Sequence, residues 1–173
     1  MQNLEIKAYC PNIQSAQNAA KAIGASKKWV RWQKDTYFAV SGGRLKLRET
    51  KDDCAELIAY QRPRKSDAKI SDYAIYKIDN PNQFKQVLEK VLPAKLVVEK
   101  KRELYLWHNV RIHLDEVKGL GFFIEFEAVL DSTDDLHTSQ ERLDFLSLKF
   151  GIRKKDLVSK GYFELLESQQ HNA

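Results

Sequence analysis

Cysteine is nearly absent: Cys10 and Cys54 are the two in 173 residues. Two thiols cannot build a disulfide scaffold or a four-thiolate zinc site. Glycine and proline are sparse as well, 7 and 4 residues, which excludes a collagenous, linker-like or broadly disordered chain. No apolar run approaches the ~20 residues that a membrane-crossing helix requires. The opening segment MQNLEIKAYC carries Glu5 and has no apolar signal core. A reduced, cytoplasmic protein is therefore expected, with no membrane partner and as a monomer or homodimer.

What the chain does contain is ordinary core material and much charge. Hydrophobic residues make up 43% and charged residues 31%, with 29 Lys and Arg against 24 Asp and Glu. The net charge of +5 suits an anionic partner but is too mild to choose its kind. The pattern along the chain is mostly strand-like, with helices inserted. Residues 3–10, Trp29–Val40, Arg44–Glu49, Glu56–Arg62, Ile70–Ile78, Ala94–Trp107, Val110–Val117 and Phe122–Leu130 read as strands. Ser41-Gly42-Gly43 supplies a hairpin turn, and 63–69 a polar loop. Asn12 and Asn80 read as caps of two helices, the second carrying Phe84, Val87, Leu88 and Val91. A third helix is expected over Ser132–Phe150, and a short helical cover over Asp156–Leu166. No linker or strong internal repeat divides the sequence, so one domain spanning 1–173 is expected.

Period-2 alternation puts unusual charge on one face of each strand. Asn3, Glu5 and Lys7 alternate with Leu4, Ile6 and Ala8. Arg44, Lys46 and Arg48 alternate with Leu45 and Leu47; Lys100 and Arg102 fall together. Arg111, His113 and Asp115 alternate with Val110, Ile112 and Leu114, and Glu125 and Glu127 with Ile124 and Phe126. One wet face is common in antiparallel sheets. Here, however, acids and bases segregate by strand, and three helices are available to cover the apolar faces. A barrel with charges inside and helices outside accounts for both. Clustered Arg and Lys match polyphosphate oxygens, and paired carboxylates are the hard ligands of Mg²⁺ or Mn²⁺. Together they read as a metal–triphosphate site.

Other readings are weaker. The four His residues show no zinc spacing with either Cys. Ser41-Gly42-Gly43 lacks the Gly-Lys-Ser/Thr ending of a phosphate loop. Trp29, Trp32 and Trp107 are expected to pack on strand faces beneath helices rather than to stack on nucleic acid, and no nucleic-acid partner is expected.

The segment NVRIHLDEVKGLGFFIEFEAV, Asn109–Val129, resembles the corresponding strand–turn–strand of the CYTH superfamily, and most closely its class IV adenylate cyclase branch. LEIKA, KDTYF, RLKLRE, KKREL and LVSKGYFELL resemble further family segments in the same order along nearly the whole chain. The resemblance implies an α+β fold: a closed antiparallel β barrel, or tunnel, of about eight strands with helices packed outside. It implies ATP or another triphosphate as partner, and Mg²⁺ or Mn²⁺ as cofactor. The implied activity is conversion of ATP to cyclic AMP and pyrophosphate. The alternatives are a triphosphatase acting on tripolyphosphate or thiamine triphosphate, or a catalytically impaired triphosphate-binding module. Lys7, Asp115 and Glu127 are the implied catalytic residues. Lys46, Arg48, Arg62, Lys100, Arg102, Arg111 and His113 would bind substrate, and Glu5, Glu125 and Glu127 the metal. Asn3 stands where the family has its first glutamate, and Gln61 where many members have lysine.

Overall fold

The computed structural model describes residues 2–61, 69–130 and 136–172. Eight strands pair in the order β1-β5-β4-β3-β2-β6-β7-β8, and β8 returns to β1, so the sheet closes. The strands are β1 (Gln2–Tyr9), β2 (Ser26–Phe38), β3 (Arg44–Thr50), β4 (Ala55–Gln61), β5 (Lys69–Ile78), β6 (Ala94–Trp107), β7 (Val110–Val117) and β8 (Gly121–Leu130). Every pairing is antiparallel. Closure removes both exposed sheet edges and fixes which face becomes interior. The expected barrel is the one observed.

Among the described residues four helices complete the fold: α1 (Ile13–Ala22), α2 (Pro81–Leu88), α3 (Leu136–Lys149) and α4 (Tyr162–Asn172). Asn12 and Asn80 cap α1 and α2, their side chains accepting from the backbone N–H of Ser15 and Gln83. At Gly43, φ is +66° and an added Cβ would lie 2.9 Å from the Tyr60 carbonyl oxygen, so this turn requires glycine.

The alternation settles which side chains face which way. Leu4, Val110, Ile112, Leu114, Ile124, Phe126 and Ala128 point outward from β1, β7 and β8 into one core beneath α1 and α3. Leu47, Ala55 and Ile78 pack with Phe84 and Leu88 of α2. A third cluster lies at one end of the barrel, where Tyr162 and Phe163 of α4 meet Tyr37, Val98, Val117 and Phe123. Thus α4 closes that end, and the interior between the plug and the opposite mouth is left for polar side chains.

Several expectations are corrected. The apolar stripe assigned to the second helix is only partly buried: Val87 is exposed, and Val91 lies beyond the end of α2 and is also exposed. Trp32 stands 55% exposed on the outer wall, and Trp29 faces the interior, so neither packs beneath a helix. β2 starts three residues earlier than expected, because its long pairing with β6, bulged between Lys27 and Trp29, organises it. The tail forms a 3₁₀ turn at Lys154–Asp156 and then α4, so the cover is longer than expected. The expected start of the third helix at Ser132, and Arg62, lie outside the described residues. No helix among the described residues is long and apolar enough to cross a membrane.

Phe126 is fully buried and meets Phe150 edge-on, with ring centroids 5.1 Å apart. Phe126→Ala should lower unfolding free energy by about 3–5 kcal/mol, since the ring sits in a closed core that cannot collapse around the space left. Urea denaturation followed by circular dichroism measures this, and a loss below about 1 kcal/mol would contradict the packing described.

Candidate functional site

A cavity of about 450 Å³ runs through the barrel interior. Its described lining carries seven basic side chains and six acidic ones; β3 and β6 contribute only bases and β8 only acids, whereas β1 and β2 each contribute both. Every one of them comes from alternate residues of a strand, apart from Asp53 in the turn after β3.

The centre is a residue that the sequence reading did not single out. Asp35 on β2 is 1% exposed and accepts hydrogen bonds from three cations. Lys46 Nζ lies 2.8 Å from Oδ2, Lys100 Nζ 3.0 Å from Oδ2, and Arg48 reaches both oxygens at 2.8 and 2.9 Å. Burial pushes the Asp35 carboxyl up, but Arg48, Lys100 and Lys46 outweigh it and hold its pKa well below the usual carboxylate range. One carboxylate cannot balance three cations, so positive charge is left over. That excess, together with burial, acts on the lysines: burial first, then Arg48, draws Lys46 well below its ordinary value. Lys100 is pulled to about 8 in the same way, against the attraction of Asp35.

A second buried pair lies beside it. Arg102 Nε and Nη2 donate to Asp115 at 2.6 and 2.5 Å, and the Tyr162 hydroxyl donates to the same carboxylate at 2.7 Å. Asp115, expected among the catalytic groups, is fully buried behind Arg102, outside the cavity lining, and accepts both of that guanidinium's hydrogen bonds. Through Tyr162 the same carboxylate ties α4 to the barrel. Lys7, also expected to be catalytic, lies 2.8 Å from Glu125 and 4.2 Å above the Tyr162 ring.

The acids gather on β1 and β8. Glu5 is directly opposite Glu127 in the register, and Lys7 opposite Glu125. Glu127 accepts from the Asn3 amide and lies 3.0 Å from His113 Nε2 and 3.6 Å from Arg111. Burial raises the Glu127 pKa, but the His113 hydrogen bond and the charges of His113 and Arg111 bring it to about 2. Burial, and then Arg102, lower the His113 pKa, so the ring is neutral near pH 7. With an amide at position 3, Glu127 is bound directly, where a second carboxylate would repel it. Arg44, on the same strand face as Lys46 and Arg48, turns away to pair with Glu164 of α4 at 2.9 Å.

The donor chemistry fits a divalent cation held jointly by protein and ligand. Among the described residues, no group of three or more His, Cys, Asp or Glu forms a ready-made metal cage. Glu5 and Glu127 nevertheless face one another as hard oxygen donors, and the buried Asn3 Oδ1 beside them has no hydrogen-bond partner in the protein. Mg²⁺ characteristically uses one or two carboxylates and completes its shell with substrate phosphates and water. Glu125, the third expected ligand, is engaged by Lys7 and lies 3.8 Å from Arg102.

Asp35 was missed because a single acid in a strand that also carries Lys27, Lys28, Arg31 and Lys34 has no distinguishing spacing. Its signals were the period, since Gln33, Asp35 and Tyr37 share a face, and its place within the KDTYF segment. Tyr162 falls within the LVSKGYFELL segment, but its role depends on where α4 docks.

Residues 1–162 match the model of the CYTH domain family. A Methanocaldococcus jannaschii protein named "Putative adenylate cyclase MJ0240" is 25% identical over 95% of this chain and 98% of its own. Among solved structures, a Pyrococcus horikoshii protein superposes with a TM-score of 0.85 at 20% identity, covering 94% of this chain and 98% of that one. A Hippeastrum protein described as a putative adenylyl cyclase with a dominant triphosphatase activity superposes with a TM-score of 0.69 at 18% identity, covering 98% and 96%.

Removing the shared counter-ion tests the electrostatic account. Asp35→Asn should cost about 3–5 kcal/mol of stability at pH 7, because three buried cations lose their partner. The deficit should shrink as pH rises toward about 8 and level off above it, because without Asp35 the lowered Lys100 and Lys46 shed their protons at lower pH than in the parent. Urea titrations from pH 6 to 9.5 measure both; a deficit under about 1 kcal/mol, as for an exposed pair, would refute the account.

Proposed function

The chain belongs to the CYTH domain family, and from that premise we propose that its tunnel binds a triphosphate together with Mg²⁺ or Mn²⁺ and converts ATP to cyclic AMP and pyrophosphate. Residues 1–173 act as one triphosphate-binding unit in this reading. The observation that carries it is the cation cluster on Asp35. Lys46, Arg48 and Lys100 converge on one buried carboxylate at the cavity wall, with Arg102 alongside. Such an excess of positive charge in a low-dielectric cavity suits the several negative charges of a polyphosphate chain.

Each group has a defined task. Arg48 and Arg102 are pre-oriented by Asp35 and Asp115, so their forks do not need to reorganise on binding. Lys46, Lys100 and Lys7 add point charges along the wall, and Arg111 lies at the more open side. In the reaction the 3′-oxygen of ATP bonds to the α-phosphorus, and the bond from that phosphorus to the α,β-bridging oxygen breaks. The electron pair leaves with pyrophosphate, and the 3′-hydroxyl proton passes to solvent. Negative charge therefore accumulates on the pyrophosphate, where the cations lie. Glu5 and Glu127, with Asn3 Oδ1, would hold the divalent ion, which supplies Lewis-acid polarisation of the phosphoryl oxygens. His113 and Arg111 orient Glu127 for that task. The adenylate cyclase name of the Methanocaldococcus jannaschii relative supports this chemistry.

The second reading uses the same clamp with water attacking the γ-phosphorus, and the triphosphatase activity described for the Hippeastrum neighbour favours it. Incubation with ATP, tripolyphosphate and thiamine triphosphate in Mg²⁺ or Mn²⁺, with the products resolved by chromatography, separates the two. Cyclic AMP and pyrophosphate are expected from ATP; orthophosphate with ADP from ATP, or with pyrophosphate from tripolyphosphate, and no cyclic AMP establishes the hydrolase; no turnover and no binding refutes both.

Binding should also depend on pH through Lys100. Its ordinary pKa of 10.5 is lowered to about 8, so the ammonium is charged below that value and lost above it. Tripolyphosphate affinity measured by calorimetry should therefore fall as pH rises through about 8. In Lys100→Arg, which stays charged, the fall should move to higher pH; an unchanged profile would remove Lys100 from the clamp.

A further inference from the structure

The tunnel is not charged throughout. At the mouth opposite the α4 plug, Trp29 lines the cavity with Leu104, its partner in the β2–β6 register. The Arg31 guanidinium lies 5.0 Å from the Trp29 ring centroid and is paired with Asp53, which fixes it there. A cavity of about 450 Å³ is within the range that encloses an organic ligand. An inorganic phosphate chain would make no use of an indole at its entrance.

We propose that Trp29 is a stacking platform for the nucleobase of a nucleoside triphosphate, so that this chain takes a nucleotide in preference to inorganic tripolyphosphate. The inference rests on the triphosphate reading above and specifies its substrate class. Inward side chains on a strand succeed one another about every 6.6 Å. A ring on Trp29 is then one step from Arg31, whose register partner is Arg102, and two steps from Gln33, whose register partner is Lys100. That progression matches a base joined through a sugar to a run of phosphates. Gln33 Oε1, buried and without a partner in the protein, adds a neutral acceptor among those cations. Arg31 decides between kinds of ring. Its N–H groups suit the ring nitrogens and carbonyl oxygens of a neutral base, and its charge disfavours the cationic thiazolium of thiamine triphosphate.

The three tryptophans allow a direct readout. Trp32 is on the outer wall and Trp107 stacks on Phe145 with centroids 5.2 Å apart, so Trp29 alone among them lines the cavity. ATP, thiamine triphosphate and tripolyphosphate are titrated into the full chain in the presence of EDTA, by calorimetry and by tryptophan fluorescence. ATP should quench the emission, and tripolyphosphate should not. Trp29→Ala should weaken ATP by about 5- to 100-fold, the usual effect of removing a base–aromatic stack, and change tripolyphosphate by less than about twofold. Trp29→Phe should retain most of the ATP affinity while abolishing the quench. Equal weakening of both ligands by Trp29→Ala, or of neither, overturns the platform, as does a loss confined to thiamine triphosphate. Failure of the parent protein to bind any of the three, in EDTA and again with Mg²⁺ present, is a different result, since it refutes the triphosphate reading itself.

Discussion

The Asp35 carboxylate, with three cations on its two oxygens, is the constraint on which the rest of the structure depends. Ionised groups taken out of water cost several kcal/mol each unless they are paired and hydrogen-bonded. Lys100 is 2% exposed and Lys46 8%, which is tolerable only because one acid serves both and Arg48 as well. The four side chains come from β2, β3 and β6, so the charge cluster requires three strands that are neighbours in the sheet and distant in sequence. The requirement also runs the other way. Strands carrying this much charge on one face can close into a barrel only if most of the inward charges are paired, and the excess left at Asp35 is local. Arg102 with Asp115, and Lys7 with Glu125, add further pairs around the ring.

This organisation keeps the barrel open inside. Outward-facing Leu, Ile, Val and Phe form the cores under α1, α2 and α3, which leaves the interior free of any duty to supply a hydrophobic centre. The exception is the end occupied by α4. There Tyr162 serves two environments at once: its ring packs against Phe123 with centroids 5.0 Å apart, and its hydroxyl reaches Asp115. A tyrosine suits that boundary because one end of the side chain is apolar and the other seeks a partner. The result is a polar tunnel with a plugged end and an open mouth, which gives any ligand a direction of entry.

Much of this was legible in the sequence, because the side-chain period of a strand is strictly two. The alternation at Leu4–Ala8, Arg44–Arg48, Val110–Asp115 and Ile124–Glu127 determined which face of each strand is polar, and so the inward set of Lys7, Lys46, Arg48, Arg111, Glu125 and Glu127. It also fixed the α+β class, and the segments resembling the CYTH superfamily fixed the closed barrel. Only the tertiary structure decided who pairs with whom. That Asp35 would take three cations, that Asp115 would stand behind Arg102, that Arg44 would leave the cluster for Glu164, and that Trp29 would face inward all depend on strand order and register. Alternation assigns a face from neighbours two residues apart. The charge partners lie up to 120 residues apart, as Arg44 and Glu164 do, and only closure of the barrel and the docking of α4 bring them within hydrogen-bond reach.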